Sequence, residues 1–130
     1  MASITDLKLN LMSMNVRGIR NLKKRRALFY QFKKGKYDII CLQETHLGKN
    51  YKDIISREWG ADFHIAEGTS HSKGMLTLFS NKIKSDDIKV VIENDRCIVS
   101  ILTINNVKLA VINVYCPCIV GEKNNFQKKN

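Results

Sequence analysis

The stretch 37-YDIICLQETH-46 decides the fold of this sequence and raises its functional question. The run 37-YDIICL-42 is apolar and has the length of a strand, so it predicts a buried strand. Glu44 follows at the point where the chain turns toward solvent. A solvated loop carboxylate is the ordinary interpretation of such a residue. A metal ligand at the end of a sheet is the alternative, and the neighbouring segments must decide between the two.

The segments on either side of this strand predict an α/β fold. Alternating leucines over residues 7–11 predict a strand that ends near Asn15. A helix is predicted over 21–34, capped by Asn21 and stopped by Gly35. The residues expected on its buried side are Leu22, Leu28, Phe29 and Phe32.

A polar, partly helical connection through Trp59 leads into a strand-rich second part. Asn105-Asn106 is a two-residue hairpin signal, because asparagine tolerates positive φ. The predicted strands are 62–66, 75–80, 88–92, 97–104 and 107–115.

This order predicts a mixed, largely antiparallel sheet with helices on one face. The second face of the sheet, apolar over 75–79 and 109–114, also requires burial. We expect nothing else in the chain to cover it, which suggests half of a larger unit. The chain is interpreted as a single partial domain over residues 1–130, with 119–130 as a polar tail.

Composition limits the classes of function. The chain has 130 residues of which 44% are hydrophobic, values of a folded domain rather than a disordered chain. A net charge of +10 favours a polyanionic partner such as nucleic acid, or an anionic membrane surface. Residues 1–18 lack the unbroken apolar region of a secretory signal, and no run reaches transmembrane length. Cys41, Cys97, Cys116 and Cys118 show no zinc-ribbon spacing, so buried, reduced thiols of an intracellular protein are expected.

Basic residues concentrate between Arg17 and Lys36, with no acidic residue among them. The basic residues of this segment are Arg17, Arg20, Lys23, Lys24, Arg25, Arg26, Lys33, Lys34 and Lys36. A helix face that follows a phosphate backbone is one interpretation, and a solvated helix face is the more common one. The absence of compensating acids moves the interpretation toward phosphate contact.

Three motifs stand at the ends of predicted strands: 12-MSMNVRG-18, 40-ICLQETH-46 and 112-INVYCP-117. In this order, and with 58-EWG-60 and 67-EGTSHSKG-74 between them, they resemble the exonuclease–endonuclease–phosphatase superfamily. The resemblance is to the N-terminal half of the apurinic-type endonuclease domain of LINE-type (non-LTR) retrotransposons. It implies the first half of a four-layer α/β sandwich.

The resemblance also implies metal-dependent phosphodiester hydrolysis, with Mg²⁺ or Mn²⁺ as the cofactor. It assigns Glu44 as the metal carboxylate and Asn15 as the amide near the metal and the scissile phosphate. It assigns Tyr115 as the hydroxyl that contacts the phosphate or assists the leaving group. Arg96 is expected to contact phosphate or make a structural hydrogen bond, and Asn113 to support the site. The nucleic-acid-binding candidates are Arg17, Lys23, Lys24, Arg25, Arg26, Arg96 and Asn113.

The sequence departs from the family pattern in its second half. The family's Asp-x-Asn and Ser-Asp-His motifs are absent, and Cys118 stands where the family often has asparagine. Residues of such a catalytic unit act together, so Glu44 alone predicts impaired catalysis. We expect a truncated endonuclease-type domain of retroelement origin whose ancestral activity is Mg²⁺-dependent nicking of DNA.

Three other interpretations stay open. They are a non-catalytic nucleic-acid-binding module, a non-functional fragment, and a phosphatase acting on lipid or inositol phosphates. The expected partners are DNA and either the missing second half of the domain or a second copy, with no membrane. The implied DNA substrate predicts a nuclear location.

Overall fold

A computed structural model describes residues 7–116, which form seven strands and two α-helices. The elements are β1 (Leu11–Asn15), α1 (Leu22–Lys34), β2 (Ile39–Gln43), α2 (Lys52–Trp59), β3 (Phe63–Gly68), β4 (Lys73–Phe79), β5 (Ile88–Glu93), β6 (Cys97–Ile104) and β7 (Val107–Val114). The expected tail 119–130, Pro117 and Cys118 lie outside the described residues. Neither helix in the described part is long and apolar enough to cross a bilayer.

The strands form two sheets rather than one. The first has the order β1-β2-β4-β3, in which β1 runs parallel to β2 and the other pairs are antiparallel. The second is an antiparallel meander of β5, β6 and β7. Asn105 and Asn106 join β6 to β7 with φ values of 51° and 65°, which confirms the predicted hairpin.

Helix α1 covers one face of the first sheet, with the predicted cap. The Asn21 side-chain oxygen accepts a hydrogen bond from the Lys24 backbone N–H at 3.0 Å, and Gly35 ends the helix. Phe29 and Phe32 are buried as expected, whereas the prediction that Leu22 is buried is wrong, since 44% of it is exposed. Leu22 is the first helical residue, before the helix reaches the sheet. Arg25, one turn later on the same face, takes the buried position.

The second face of the first sheet is covered by the chain itself. Ile40 and Leu42 of β2 pack against the helices. Ile39 points the other way and packs with Phe79 of β4 and with Ile88 and Leu102 of the second sheet. The expectation that this face has no cover is therefore wrong. The late antiparallel strands do not extend the first sheet but fold over it, so the layers are helices, sheet and sheet, as expected of an α/β sandwich.

A buried amide joins the two sheets. The Asn113 side chain of β7 is 1% exposed and donates to the backbone oxygens of Leu42 (3.3 Å) and Leu76 (3.2 Å) and to the Thr77 hydroxyl (3.2 Å). Its oxygen accepts a hydrogen bond from Gln43 Nε2 at 2.9 Å. A polar group in this apolar layer fixes the relative position of the sheets, because every other register would leave it unpaired.

The cysteines of the described chain are free thiols. Cys41 and Cys97 are partly buried, but Cys116 is exposed, so the expectation of buried thiols fails for Cys116. Burial raises the pKa of the Cys41 thiol to about 11, against a smaller opposite effect of its hydrogen bond with Thr77. Cys41 therefore stays protonated at neutral pH and acts as a packing residue.

At one end of the first sheet, the loops after β1 and β2 continue its hydrogen bonding beyond these strands. The Gly18 N–H donates to the Glu44 oxygen at 2.7 Å, and the Ile19 N–H to the Thr45 oxygen at 2.9 Å. On the other side, the Thr45 N–H donates to the oxygen of Gly74 at 3.0 Å and the His46 N–H to the oxygen of Lys73 at 2.9 Å, both at the start of β4. The loop that carries Glu44 is therefore held between the loop after β1 and the start of β4.

We predict that Gly74→Ala disrupts this loop packing. Gly74 has a φ of 92°, and a Cβ there would overlap the Thr45 hydroxyl and lie 3.1 Å from the His46 backbone nitrogen. The left-handed backbone costs a non-glycine residue about 1–2 kcal/mol, and overpacking adds about 1–3 kcal/mol. Urea unfolding measures the loss.

Gly60→Ala is the matched control. Gly60 also has a positive φ, of 78°, but a Cβ there would meet nothing within 4 Å. It should show the backbone cost alone. Equal losses of unfolding free energy in the two variants would contradict the packing of Gly74 against the Glu44 loop.

A second prediction concerns pH. His64 Nδ1 lies 2.7 Å from Ser100 Oγ between the sheets, and burial lowers the pKa of His64 while Asp62 acts in the opposite direction. The folded state then favours neutral imidazole. Neutral His64 contributes fully to stability above the pKa of about 6.5 that histidine has in the unfolded chain. This contribution is lost as the pH falls toward the lower pKa of His64 in the folded state. The free energy of unfolding should therefore fall between pH 7.5 and pH 5.5.

His64→Gln should flatten that dependence, whereas His71→Gln, in the exposed loop before β4, should leave it unchanged. Urea unfolding midpoints, measured at several pH values across this range, compare wild type with the two variants. A wild-type slope retained in His64→Gln would assign the pH effect to other groups.

Candidate functional site

Glu44 lies immediately after β2, between the loop after β1 and the start of β4. Its φ is 54°, a left-handed conformation that costs a non-glycine residue energy and is held here by hydrogen bonds of its loop to these two segments. The residue is partly buried, and within residues 7–116 no protein donor bonds its carboxylate. Both carboxylate oxygens are therefore available to a ligand, and the loop geometry is consistent with a held carboxylate rather than a mobile surface one.

Asn15 ends β1 beside this loop. It pairs in parallel register with Gln43, the residue before Glu44, and the Val16 N–H donates to the Gln43 oxygen at 3.0 Å. Its side-chain oxygen accepts a hydrogen bond from the Arg17 N–H at 3.2 Å, and the residue is exposed. The backbone thus brings Asn15 and Glu44 to the same end of adjacent parallel strands, and no acceptor among residues 7–116 binds the amide nitrogen of Asn15.

Gln43 is a residue of this edge that the sequence reasoning did not select. Its Nε2 donates to Ser13 Oγ at 3.0 Å, to the Cys41 oxygen at 3.2 Å and to Asn113 Oδ1 at 2.9 Å. It therefore connects β1, β2 and β7 directly beneath the Glu44 loop. Its place in the 40-ICLQETH-46 motif was the only available signal, because a partner 70 residues away cannot be read from spacing.

Asn113 was grouped with the nucleic-acid contacts, but its side chain is buried and fully bonded to protein groups. It positions Gln43 and the two sheets and presents no group to the surface. Its expected roles in supporting the site and in binding nucleic acid stay predictions.

Tyr115 and Arg96 meet at the same end of the second sheet. The Tyr115 N–H donates to the Arg96 oxygen at 2.8 Å. The Tyr115 ring is 9% exposed and packs with Ala66, Met75 and Ile98, and Met75 is paired with Gln43. Arg96 is exposed and its guanidinium makes no ion pair within residues 7–116. The catalytic assignments of Asn15, Glu44 and Tyr115 stay predictions, and the fold places all three at one end of the sandwich.

The donor set at this edge fits a weakly held hard cation. Mg²⁺ binds through one or two carboxylates, completed by water and substrate phosphate. Glu44 supplies one such carboxylate. No cluster of three or more His, Cys, Asp or Glu side chains suited to a metal occurs in the described part of the chain. A cation at Glu44 would depend on water and substrate for its other ligands.

The basic segment divides into exposed and buried residues. Arg17, Lys23, Lys24 and Arg26 are exposed, and Lys24 Nζ also donates to the Val16 oxygen at 2.7 Å. Lys24 therefore ties the start of α1 to the loop after Asn15. The exposed members form a positive surface that continues from the Asn15 edge.

Arg25 departs from that surface, since only 4% of it is exposed. Its Nε and Nη2 bond the two carboxylate oxygens of Glu58 in α2 at 2.7 and 2.9 Å, and Nη1 donates to the Arg20 oxygen at 2.6 Å. The hydrogen bond with Arg25 lowers the pKa of Glu58, and the same bond raises the pKa of Arg25. Arg25 joins the helices and does not face the surface, so the compensating acid lies outside the basic segment.

Comparison with solved structures identifies similar folds. The chain is similar to the crystal structure of AP endonuclease LMAP from Leishmania major, with a TM-score of 0.65 and 18% identity, over 96% of this chain and 47% of that one. It is also similar to truncated Caenorhabditis elegans TDP2, with a TM-score of 0.57 and 15% identity, over 89% of this chain and 49% of that one. This chain therefore spans about half the length of either protein.

The sequence itself matches a family profile over most of its length. Residues 12–124 match the profile of the Endonuclease/Exonuclease/phosphatase family. The matched range contains Asn15, Glu44, Asn113 and Tyr115. The helix–sheet–sheet architecture agrees with the two similar structures. The chain belongs to the endonuclease/exonuclease/phosphatase family.

Proposed function

We propose that this chain carries the metal-binding half of a DNA-nicking nuclease site and is catalytically impaired by itself. The observation that supports this is the carboxylate of Glu44, which no donor among residues 7–116 binds, beside Asn15 at the ends of two parallel strands. A cation bound there would offset charge on the non-bridging oxygens of a phosphodiester. The strand motifs shared with LINE-type endonuclease domains support a retroelement origin, and a DNA substrate implies a nuclear location.

The residues of this chain would act as follows in the intact site. Glu44 would hold Mg²⁺ or Mn²⁺, and the Asn15 amide nitrogen would donate to a phosphate oxygen. Tyr115, which is fixed by its packing against Met75, would present its hydroxyl to the phosphate or the leaving group. With Glu44 engaged in holding the cation, neither Asn15 nor Tyr115 is an effective general base for water, and the family's Asp-x-Asn and Ser-Asp-His motifs do not occur in the sequence. The proposal of impairment rests on this gap.

A second folded unit would complete the site. Strands β1 and β7 are both sheet edges, and a groove of about 630 Å³ lies between them, lined by both strands. Leu11, Ile112 and Val114 along this groove are 61%, 60% and 55% exposed. Unpaired edges beside exposed apolar residues are surfaces that proteins normally cover. We propose that either the second half of a longer domain or a second copy of this chain covers them.

The nicking assay tests this function. Wild type and Glu44→Gln, purified identically, are incubated with supercoiled plasmid in Mg²⁺ and in Mn²⁺. We expect both to nick at the background rate, within about twofold of each other, because a lone carboxylate gives little acceleration. Nicking by wild type that Glu44→Gln abolishes would overturn the proposed impairment. Light scattering on the same sample would then show whether a dimer supplies the missing groups.

Metal binding is measured separately, so that an inactive protein still tests the site. Binding of Mn²⁺ by wild type should reduce the electron paramagnetic resonance signal of free Mn²⁺. The Glu44→Gln substitution should raise the Kd for Mn²⁺ at least tenfold. Glu67→Gln, at an exposed glutamate of β3, is the matched control and should bind as wild type does. Equal binding by all three proteins would remove Glu44 from the metal site.

The exposed basic face should bind duplex DNA through phosphates. Lys23→Ala/Arg26→Ala is expected to weaken binding and to flatten the plot of log Kd against log salt by about 0.9 for each phosphate that is no longer neutralised. Fluorescence anisotropy at several salt concentrations measures both quantities.

Lys89→Ala/Lys108→Ala removes the same charge from exposed positions of the second sheet and serves as the control. An equal loss of affinity in this control would show that net charge, rather than the position of Lys23 and Arg26, determines DNA binding. Arg25→Ala should instead lower stability, because it leaves the Glu58 carboxylate unpaired at the helix interface.

A further inference from the structure

A cavity lies at the end of the first sheet opposite to Glu44. It has a volume of about 380 Å³ and is bounded by the C-terminal ends of α1 and α2 and by the loop after β4. The Asp38 N–H donates to the Asn10 oxygen and the Ser80 N–H to the Asp38 oxygen, which places this loop at the start of β1 and β2. The length of β2 separates the cavity from Glu44 by about 17 Å. The cavity is therefore distinct from the candidate nuclease edge.

Aromatic side chains form one wall of this cavity. Phe32 and Trp59 are buried behind it, and Tyr37 is partly exposed on it. Trp59 is fixed, since its Nε1 donates to the Phe79 oxygen at 2.8 Å. A rigid aromatic wall favours a flat apolar group, because packing a ring against it costs little side-chain freedom.

Lysines form the rim. Lys33 Nζ lies 5.2 Å from the centre of the Trp59 ring, and Lys36 and Lys82 are exposed beside it. Within residues 7–116 none of the three makes an ion pair. Asp38 is the one acidic residue of the lining, and its carboxylate accepts a hydrogen bond from the Asn10 N–H at 2.8 Å. Three lysines against this one carboxylate leave the lining with a net charge of +2, which favours an anion.

We propose that this cavity binds a phosphorylated aromatic ligand of the size of a mononucleotide. The base packs against the partly exposed Tyr37, behind which Phe32 and Trp59 are buried, and Lys33, Lys36 and Lys82 bind the phosphate. The volume lies within the range of small-molecule sites, which begins at about 300 Å³. The phosphate at the mouth and the ring inside the cavity would each contribute to affinity. A ligand with only one of these groups should therefore bind more weakly.

Trp59 gives a direct readout, because it is the single tryptophan of the chain. Adenosine 5′-monophosphate titrated into the full chain should change the tryptophan fluorescence in a saturable manner. Adenosine should bind at least tenfold more weakly, and inorganic phosphate should leave the spectrum unchanged. Calorimetry on the same samples confirms that the signal reports binding.

Lys36→Ala/Lys82→Ala should raise the Kd for the nucleotide at least tenfold. Lys34→Ala, at an exposed lysine of the same helix that does not line the cavity, should stay within twofold of wild type. Thermal unfolding checks that the surface variants are folded. The proposal is overturned by the absence of saturable binding, by equal affinity for adenosine, or by an equal loss in Lys34→Ala.

The phosphorylated ligand could be a free nucleotide or the 5′ end of a nucleic-acid strand. A short single-stranded oligonucleotide with a 5′-phosphate is therefore added as a competitor, beside the same oligonucleotide without the phosphate. Competition that requires the 5′-phosphate assigns the cavity to strand ends. Failure of both oligonucleotides to displace bound nucleotide assigns it to free nucleotides.

Discussion

The burial of β2 on both faces is the constraint on which the rest of this structure depends. Ile40 and Leu42 require helices on one side, and Ile39 and Cys41 require a second sheet on the other. Most of such a strand is removed from solvent, and the loops at its two ends carry the polar groups. The two candidate binding sites therefore lie at the two ends of the sandwich. Glu44 occupies one end, and the aromatic, lysine-rimmed cavity occupies the other.

The sandwich closes through polar contacts as much as through apolar ones. The buried Asn113 and the partly buried Gln43 form a pair whose hydrogen bonds reach β1, β2, β4 and β7. Apolar layers slide with little penalty, whereas a buried amide has one position in which all of its partners are present. The same pair lies directly under the loop that carries Glu44. The same hydrogen bonds consequently determine both the position of the Glu44 loop and the relative position of the two sheets.

Local signals of the sequence predicted most of the elements. The Asn21 cap, the Gly35 stop and the Asn105-Asn106 hairpin each depend on neighbouring residues and can be recognised without tertiary knowledge. The errors concern long-range partners. Arg25 was grouped with the surface cations because its partner Glu58 lies 33 residues away. The second sheet was not foreseen as a cover, because strand patterns do not say whether antiparallel strands extend a sheet or fold over it.

The distance along the chain between the two sheets has a consequence for biosynthesis. The contact of Asn113 with Leu42 joins residues 71 apart, and the covering sheet ends 35 residues after β4, at Val114 against Phe79. At a translation rate of about 5–20 residues per second, β5–β7 are completed on the order of 2–7 s after β4. During that interval Ile39, Cys41 and Phe79 have no cover. The nascent chain therefore exposes apolar surface during this period, and such surface is prone to aggregation.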